Sequence, residues 1–347
     1  MWRACSDHGA LGGIDRAMLS SDLLNSPKSP INTLKLSKNK YGVSMSEQIR
    51  VDEFLTSLLS ICRPLEPFAM PLLDAHGGTL AEDVYVGGRI VMKAGSRIRS
   101  TQIGLAASIG LKALPTRPHP RVVVISAGPD LVEPGEHLSL GEEYETNSWL
   151  LTTSVREAGA VGYRVFSIPD NESQLKSAIE DNLVRADLVV VSGERHDESF
   201  DLITRALSSL GDITTVDLAI EASGRHNFGH IGPDRTPVVT LPGDPISAYI
   251  SLELFVRPMI RTMLGSSNIH RPSVRARLEK PIASTRGART YLRAFLSEDG
   301  HSVRALPDQE DMTTLSDANA LITIPESDVG LEAGAEVTVV VLRRRYF

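Results

Sequence analysis

Val122-Val123-Val124-Ile125 is an unbroken run of β-branched apolar residues. A strand with one wet face alternates apolar and polar positions, so a run without alternation demands cover on both faces. Leu188–Val191 reads as the next buried strand and Val238–Leu241 as another strand farther along. Between these runs the spacing predicts helices over Ser148–Ala158, over Glu172–Val184 with Asp170 as cap, and over Phe200–Leu210, and a strand over Gly162–Ser167. Strands that alternate with helices build an α/β fold around a central, mainly parallel sheet with helices on both faces. Asp244-Pro245 then supplies an N-cap and a proline suited to the first helical position. Behind it Tyr249, Leu252, Val256, Met259, Ile260 and Met263 continue as an apolar stripe.

This α/β pattern fills residues 118–268. Residues 45–117 read as a smaller linker domain: an amphipathic helix over Val51–Ile61, a stretch punctuated by Pro64, Pro67 and Pro71, extended pieces around Gly87-Gly88, and a short helix over Thr101–Gly110. After Arg271-Pro272 short alternating stretches such as Tyr291–Leu296, Ala320–Ile324 and Val337–Leu342 predict a β domain over 269–347. Residues 1–44 show neither helical nor strand periodicity and are expected to be disordered, or an extension ahead of a start at Met45. A net charge of −7 offers no field for nucleic acid or an anionic membrane, and no run approaches the roughly 20 apolar residues of a membrane span. Two cysteines, Cys5 and Cys62, make no disulfide framework. The expectation is a cytoplasmic protein.

In an open parallel sheet, ligands bind beyond the carboxyl ends of the strands. Three predicted strands end in small-residue turns, Ser126-Ala127-Gly128, Ser192-Gly193-Glu194 and Leu241-Pro242-Gly243. Parallel strands set these turns on one edge, where exposed backbone N–H groups suit anions. The charges nearby oppose that use, because Asp130, Glu194, Asp197, Glu198, Asp201 and Asp244 follow the turns. A carboxylate 4 Å from a phosphate repels it by about 4 kcal/mol at an intermediate dielectric. Either a divalent cation intervenes or the ligand is not an anion. The Glu194–Glu198 run reads equally as a solvated loop, and Asp244 as an N-cap. His226 and His230 lack a third ligand nearby, and Ser192 lacks the G-x-S-x-G context of a hydrolase nucleophile.

Leu241-Pro242-Gly243-Asp244-Pro245-Ile246-Ser247-Ala248, followed by Glu253-Leu254-Phe255-Val256-Arg257-Pro258, resembles the LPGNPVSA…FELFVRP motif of the molybdopterin molybdenumtransferase family, the MoeA and gephyrin E-domain group. Ser126–Gly135 is similar to that family's STGDEL-x-x-PG, Asp187–Asp201 to its DxxxxSGGVSxGxxD, and Val51–Val86 to its first segment; Asn147 stands where the family opens a helix with asparagine. The resemblance implies a molybdopterin-binding-like α/β domain, a linker domain, a C-terminal β-barrel-like domain, and a homodimer. It implies magnesium-dependent hydrolysis of adenylylated molybdopterin with insertion of molybdate. Carried onto this chain, Asp201 would ligate magnesium and act with Asp244 in catalysis. Ser126, Gly128, Asp130, Asn147, Ser192, Gly193, Pro242, Gly243 and Ser247 would line the pterin–phosphate cleft, and Arg225 would replace a lysine as anion contact.

The chain also departs from the family. The inserted domain with PxFDNSAMDGYAV is expected after Val86, yet Val86-Gly87-Gly88-Arg89 runs almost directly on to Ala94-Gly95-Ser96. Bulky charged residues, Glu194–Glu198, replace the glycine loop. Glu221–His226 stands against the family's KPGKP, Pro129 replaces an acid, and Asp244 replaces asparagine. These departures set the expectation of reduced or lost transferase activity. The alternative is a non-catalytic, gephyrin-like dimeric scaffold for a protein partner, with no nucleic-acid or membrane role.

Overall fold

The computed structural model describes residues 36–38, 44–46, 48–128, 130–168, 171–193, 197–221, 224–307 and 312–343. Val122 through Ile125 are fully buried, and their alternation across the strand sends them to two cores. Val122 and Val124 join Phe54, Leu151, Val190, Phe255 and Met259 on one face. Val123 and Ile125 join Leu175, Ile179, Val191, Ile203 and Leu207 on the other. Thr236–Leu241, Leu188–Ser192, Arg121–Ala127 and Val161–Ile168 lie side by side in that order, all parallel.

The sheet continues beyond the parallel part. Arg225–Ile231 runs antiparallel to both Thr236–Leu241 and Gly211–Asp217, giving the mixed edge of an eight-stranded sheet. Leu36–Lys38 and Ser44–Ser46 pair antiparallel, and the latter adds in parallel to Gly211–Asp217. These are strands where the sequence shows no strand periodicity; the rest of 1–43 lies outside the described residues. The Glu172–Leu183 helix is capped by Asn171, whose side chain accepts from Gln174 N at 3.1 Å, rather than by Asp170. Asn171 has the extended backbone of a cap one residue ahead of the first helical turn; Asp170 itself is outside the described residues.

The apolar stripe after Asp244 is not one regular helix. Pro245–Ser251 and Arg257–Met263 are α-helical, and Leu252–Val256 between them is a π turn. Pro258 has no N–H to give to the preceding turn, and the widened turn accommodates that loss. Within it, the Glu253 carboxylate is buried and receives Nε of both Arg257 and Arg271 at 2.7 Å.

Ser273–Leu278, Ser302–Ala305, Thr290–Leu296, Ala320–Ile324 and Glu336–Val341 close into a barrel around Ala294, Ile322 and Val339. Arg289 ties this barrel to the Val51–Ser60 helix through two 2.8 Å bonds to Asp52. The linker segment packs Leu80, Met92, Ile98, Ala106 and Leu114 into a core of its own. There Val84–Val86 pairs with Arg89–Met92 across Gly87 and Gly88, at φ 55° and 77°. Two consecutive left-handed residues make the tight hairpin turn that glycine permits. A two-residue turn therefore occupies the point where the resemblance sets an inserted domain.

Candidate functional site

Register brings the three small-residue turns together. Ser192 stands opposite Ser126 on one side and opposite Leu241 on the other, so all three strand ends are adjacent. A cavity of about 240 Å³ opens beyond them, lined by Ser126, Asp130, Asn147, Gly193 and Gly243. Asn147 opens the Asn147–Ala158 helix and reaches across the edge. Its Nδ2 donates to Ser192 Oγ at 2.8 Å and to Gly243 O at 2.7 Å, and Ser192 Oγ donates to Pro242 O at 3.0 Å. The Gly243 carbonyl can only accept, which fixes the amide orientation. Asn147 Oδ1 is then left buried without a hydrogen-bond partner among the described residues.

The structure also separates residues that the sequence groups together. Asp201 and Arg225 are not among the residues lining the cavity. They face each other at 3.7 Å, and the Arg225 guanidinium stacks 4.5 Å over Phe200. Asp244 accepts from Ser247 N at 2.8 Å, the N-cap role its position predicts. Ser247 lines a different cleft, between the sheet domain and the barrel. Gly128 follows the Arg121–Ala127 strand, whereas Pro129 and Glu194 to His196 lie outside the described residues. Asp197 and Glu198 open the Asp197–Ser208 helix. Gly193 has a packing reason of its own, because a Cβ there would stand 2.6 Å from Ile203 Cδ1.

Glu143, Tyr144 and Glu145 also line the cavity, without any turn signal in the sequence. Glu143–Tyr144 pairs with Leu131–Val132, which carries this segment back over the strand ends. Glu145 is buried, receives Ser148 N at 2.7 Å and has Arg164 at 3.7 Å. Arg164 also pairs with Glu133 and stacks 4.1 Å over Trp149. Only the spacing of Glu145 three residues before Ser148, the reach of a helix cap, hints at this from sequence.

His226 and His230 belong to the Arg225–Ile231 strand, and the His226 ring is fully enclosed. Burial pushes it down to about 4, against a raising contribution from its 2.8 Å contact with the Thr240 carbonyl. It is a core residue. Magnesium takes near-octahedral oxygen ligands. Among the described residues no three His, Cys, Asp or Glu side chains converge, and Asp201 already faces a guanidinium. The described residues do not make a magnesium site by themselves.

The fold defines an α/β domain with a cavity beyond its parallel strands, followed by a small closed barrel. Two family signatures match this arrangement: "Probable molybdopterin binding domain" over residues 123–262 and "MoeA C-terminal region (domain IV)" over residues 275–342. The chain is 35% identical over 266 residues to molybdopterin molybdenumtransferase 2 of Mycobacterium tuberculosis strain H37Rv, covering 74% of this chain and 65% of that protein. Identity to the molybdopterin molybdenumtransferase of Bacillus subtilis is 25% over 261 residues, covering 74% of this chain and 60% of the relative. The chain thus spans less than two thirds of the length of these relatives. The crystal structure of a molybdopterin biosynthesis MoeA protein from Pyrococcus horikoshii superposes with a TM-score of 0.76 at 21% identity, covering 86% of this chain and all of that one; this likeness shows the fold. The chain belongs to the MoeA family of molybdopterin molybdenumtransferases. No helix among the described residues is long and apolar enough to cross a membrane.

Proposed function

We propose that this chain acts in molybdenum cofactor biosynthesis by binding molybdopterin, or its adenylylated form, in the cavity beside Asn147. The observation that carries this is the Asn147 amide. Its nitrogen is spent on Ser192 and Gly243, and its oxygen is a buried acceptor without a partner among the described residues. Such an acceptor costs about 1–3 kcal/mol until a donor meets it. The N–H edge of a pterin is a donor of the right kind. Relatives named as molybdenumtransferases support the substrate class.

On this reading molybdate insertion is weakened rather than intact. The carboxylate assigned to magnesium, Asp201, faces Arg225. The cavity wall carries Asp130 and Glu143, whose sign opposes molybdate and phosphate unless a cation intervenes, while Glu145 beside them has Arg164 at 3.7 Å. The test has two arms. Titration of the full chain with molybdopterin, followed by pterin fluorescence, is expected to saturate. Complementation of an insertase-deficient strain is expected to be poor. Absence of saturable binding sinks the proposal, and full rescue of growth sinks the weakened reading while leaving the binding intact.

A second reading, the dimeric scaffold, is favoured by one observation. A cleft of about 230 Å³ between the sheet domain and the barrel is lined by Ile220, Ile246, Ile250, Leu292 and Leu306. Light scattering that shows a dimer, with a protein partner lost on Ile246→Glu, would support it. A monomer would refute it.

A further inference from the structure

A second cavity, of about 440 Å³, lies at the opposite end of the sheet from the Asn147 pocket. Val161 and Arg121 begin two neighbouring parallel strands, and the cavity is walled by Ala158–Val161 and His119 just ahead of those starts. Its other wall comes from the linker segment, through His76, Thr79 and Arg97. The two cavities therefore share no strand end.

The charge of this wall is one-sided. Arg97, Arg156 and Arg261 line it together with His76 and His119, and among the described lining residues Glu157 is the one carboxylate. Glu157 leans toward Arg271, at 3.9 Å. Neutral groups hold two of the guanidiniums in place. Arg156 Nη2 donates to Gly162 O at 2.9 Å; Arg261 donates through Nε to Asn268 O at 3.2 Å and through Nη2 to Ser266 Oγ at 2.7 Å. Both sit in the last turn of a helix, where the helix dipole favours a cation. That accounts for Arg156 and Arg261 singly. It does not account for Arg97, which comes from another segment, bridging Thr79, and adds a third positive charge to the same space. Carbonyls orient a guanidinium but do not neutralise it. Burial, and after it the charges of Arg257 and Arg97, hold the Arg261 guanidinium below its ordinary value.

Converging like charges in a chain of net charge −7 are a local cost that an anion would relieve. Guanidinium forks match phosphate oxygens in pairs. The cavity also falls within the roughly 300–1,000 Å³ of small-molecule sites, more room than a lone phosphate fills. We propose that the Arg97–Arg156–Arg261 cavity binds a small anion bearing a phosphate or pyrophosphate group, at a site separate from the Asn147 pocket.

Isothermal titration of the full chain with inorganic pyrophosphate, and separately with ATP, at low ionic strength tests this. Saturable heat that weakens with added salt is expected. Tighter binding of ATP would assign the phosphate to a nucleotide, and tighter binding of pyrophosphate to a free polyphosphate. Arg97→Glu is expected to weaken the affinity by about tenfold or more, the size of a lost charged hydrogen bond, and Arg97→Gln by less. Arg89→Glu, on the exposed hairpin of the same linker segment, is expected to leave it unchanged. Arg97 is exposed, so both of its variants should keep the wild-type circular dichroism. The proposal falls if neither ligand gives heat, or if Arg97→Glu binds as tightly as the unmodified chain.

Discussion

Acid should destabilise this protein through His226. The ring is fully enclosed, 5.4 Å from the Phe54 ring and 6.0 Å from the Phe255 ring, with Nδ1 at 2.8 Å from the Thr240 carbonyl. Charging it requires stripping water from a cation in an aromatic cage, and its value falls from 6.5 to about 4. The unfolded chain takes the proton first, so stability is full above about pH 6.5 and declines as the pH falls toward 4; below 4 both states are protonated and the decline stops. At about 1.36 kcal/mol per unit the shift corresponds to about 3 kcal/mol, against a typical total of about 5–15 kcal/mol. The assay is urea unfolding followed by circular dichroism at several pH values between 7.5 and 4, for the unmodified chain and for His226→Asn. Asparagine keeps a donor near Thr240 O and carries no charge at any of these pH values. Any cavity it leaves lowers stability equally throughout. The unmodified chain should therefore lose about 3 kcal/mol more than the variant across this window. Parallel pH curves would refute the reasoning.

Asn147→Asp removes both donors of the amide and sets a carboxylate against the Gly243 carbonyl; molybdopterin affinity measured by fluorescence should fall about tenfold or more, and unchanged affinity would count against the pocket. Glu253→Gln leaves the charges of Arg257 and Arg271 without their shared carboxylate, and thermal melting should show a loss of about 3 kcal/mol; a melting point equal to the parent's would contradict it. Burial pushes the Cys62 thiol up to about 12, so in a Cys5→Ser background Ellman's reagent at pH 8 should find no reactive thiol until denaturant is added. Rapid colour from the folded protein would show that Cys62 is accessible.

The parallel half of the sheet was legible because Val122–Ile125 and Leu188–Val191 are apolar at every position and Val238–Leu241 departs only at Thr240, the pattern of a strand covered on both faces. The antiparallel half was not legible. Gly211–Asp217 and Arg225–Ile231 carry Thr215, His226 and Asn227 at buried positions, where each finds a polar partner: Thr215 Oγ1 donates to Asn227 Oδ1, Asn227 Nδ2 donates to Thr204 Oγ1 at 2.9 Å, and His226 Nδ1 meets the Thr240 carbonyl at 2.8 Å. A polar network hides a strand from any reading by hydrophobic pattern, because its burial is offset by partners distant in sequence. The π turn was concealed for another reason. Pro258 announces a break, but the stripe from Tyr249 to Met263 stays in phase closely enough to read as one helix.

The site was legible in its turns and misleading in its charges. Of the carboxylates after the strand ends the resemblance marks Asp130, Asp201 and Asp244, and it sets Glu221 against a lysine-bearing stretch; in the fold Asp201, Asp244 and Glu221 each have a partner within the protein. Asp244 caps the helix behind it, and Asp201 faces Arg225. Glu221 accepts from Thr285 Oγ1 at 3.2 Å and from Thr290 Oγ1, on the barrel side of the molecule. The negative charge at the described cavity comes from Asp130, together with Glu143 on a segment that only the strand pairing of Leu131–Val132 brings over the edge; Glu145 on that segment is itself paired with Arg164 at 3.7 Å. A field at a site depends on where folding sends each charge and on what it meets there, since a paired carboxylate at 3.7 Å from a guanidinium exerts little on a third group beyond it. One carboxylate lining the described cavity, Glu143, is thus one that no motif marks, and two of those the motif marks, Asp201 and Asp244, are already committed within the protein.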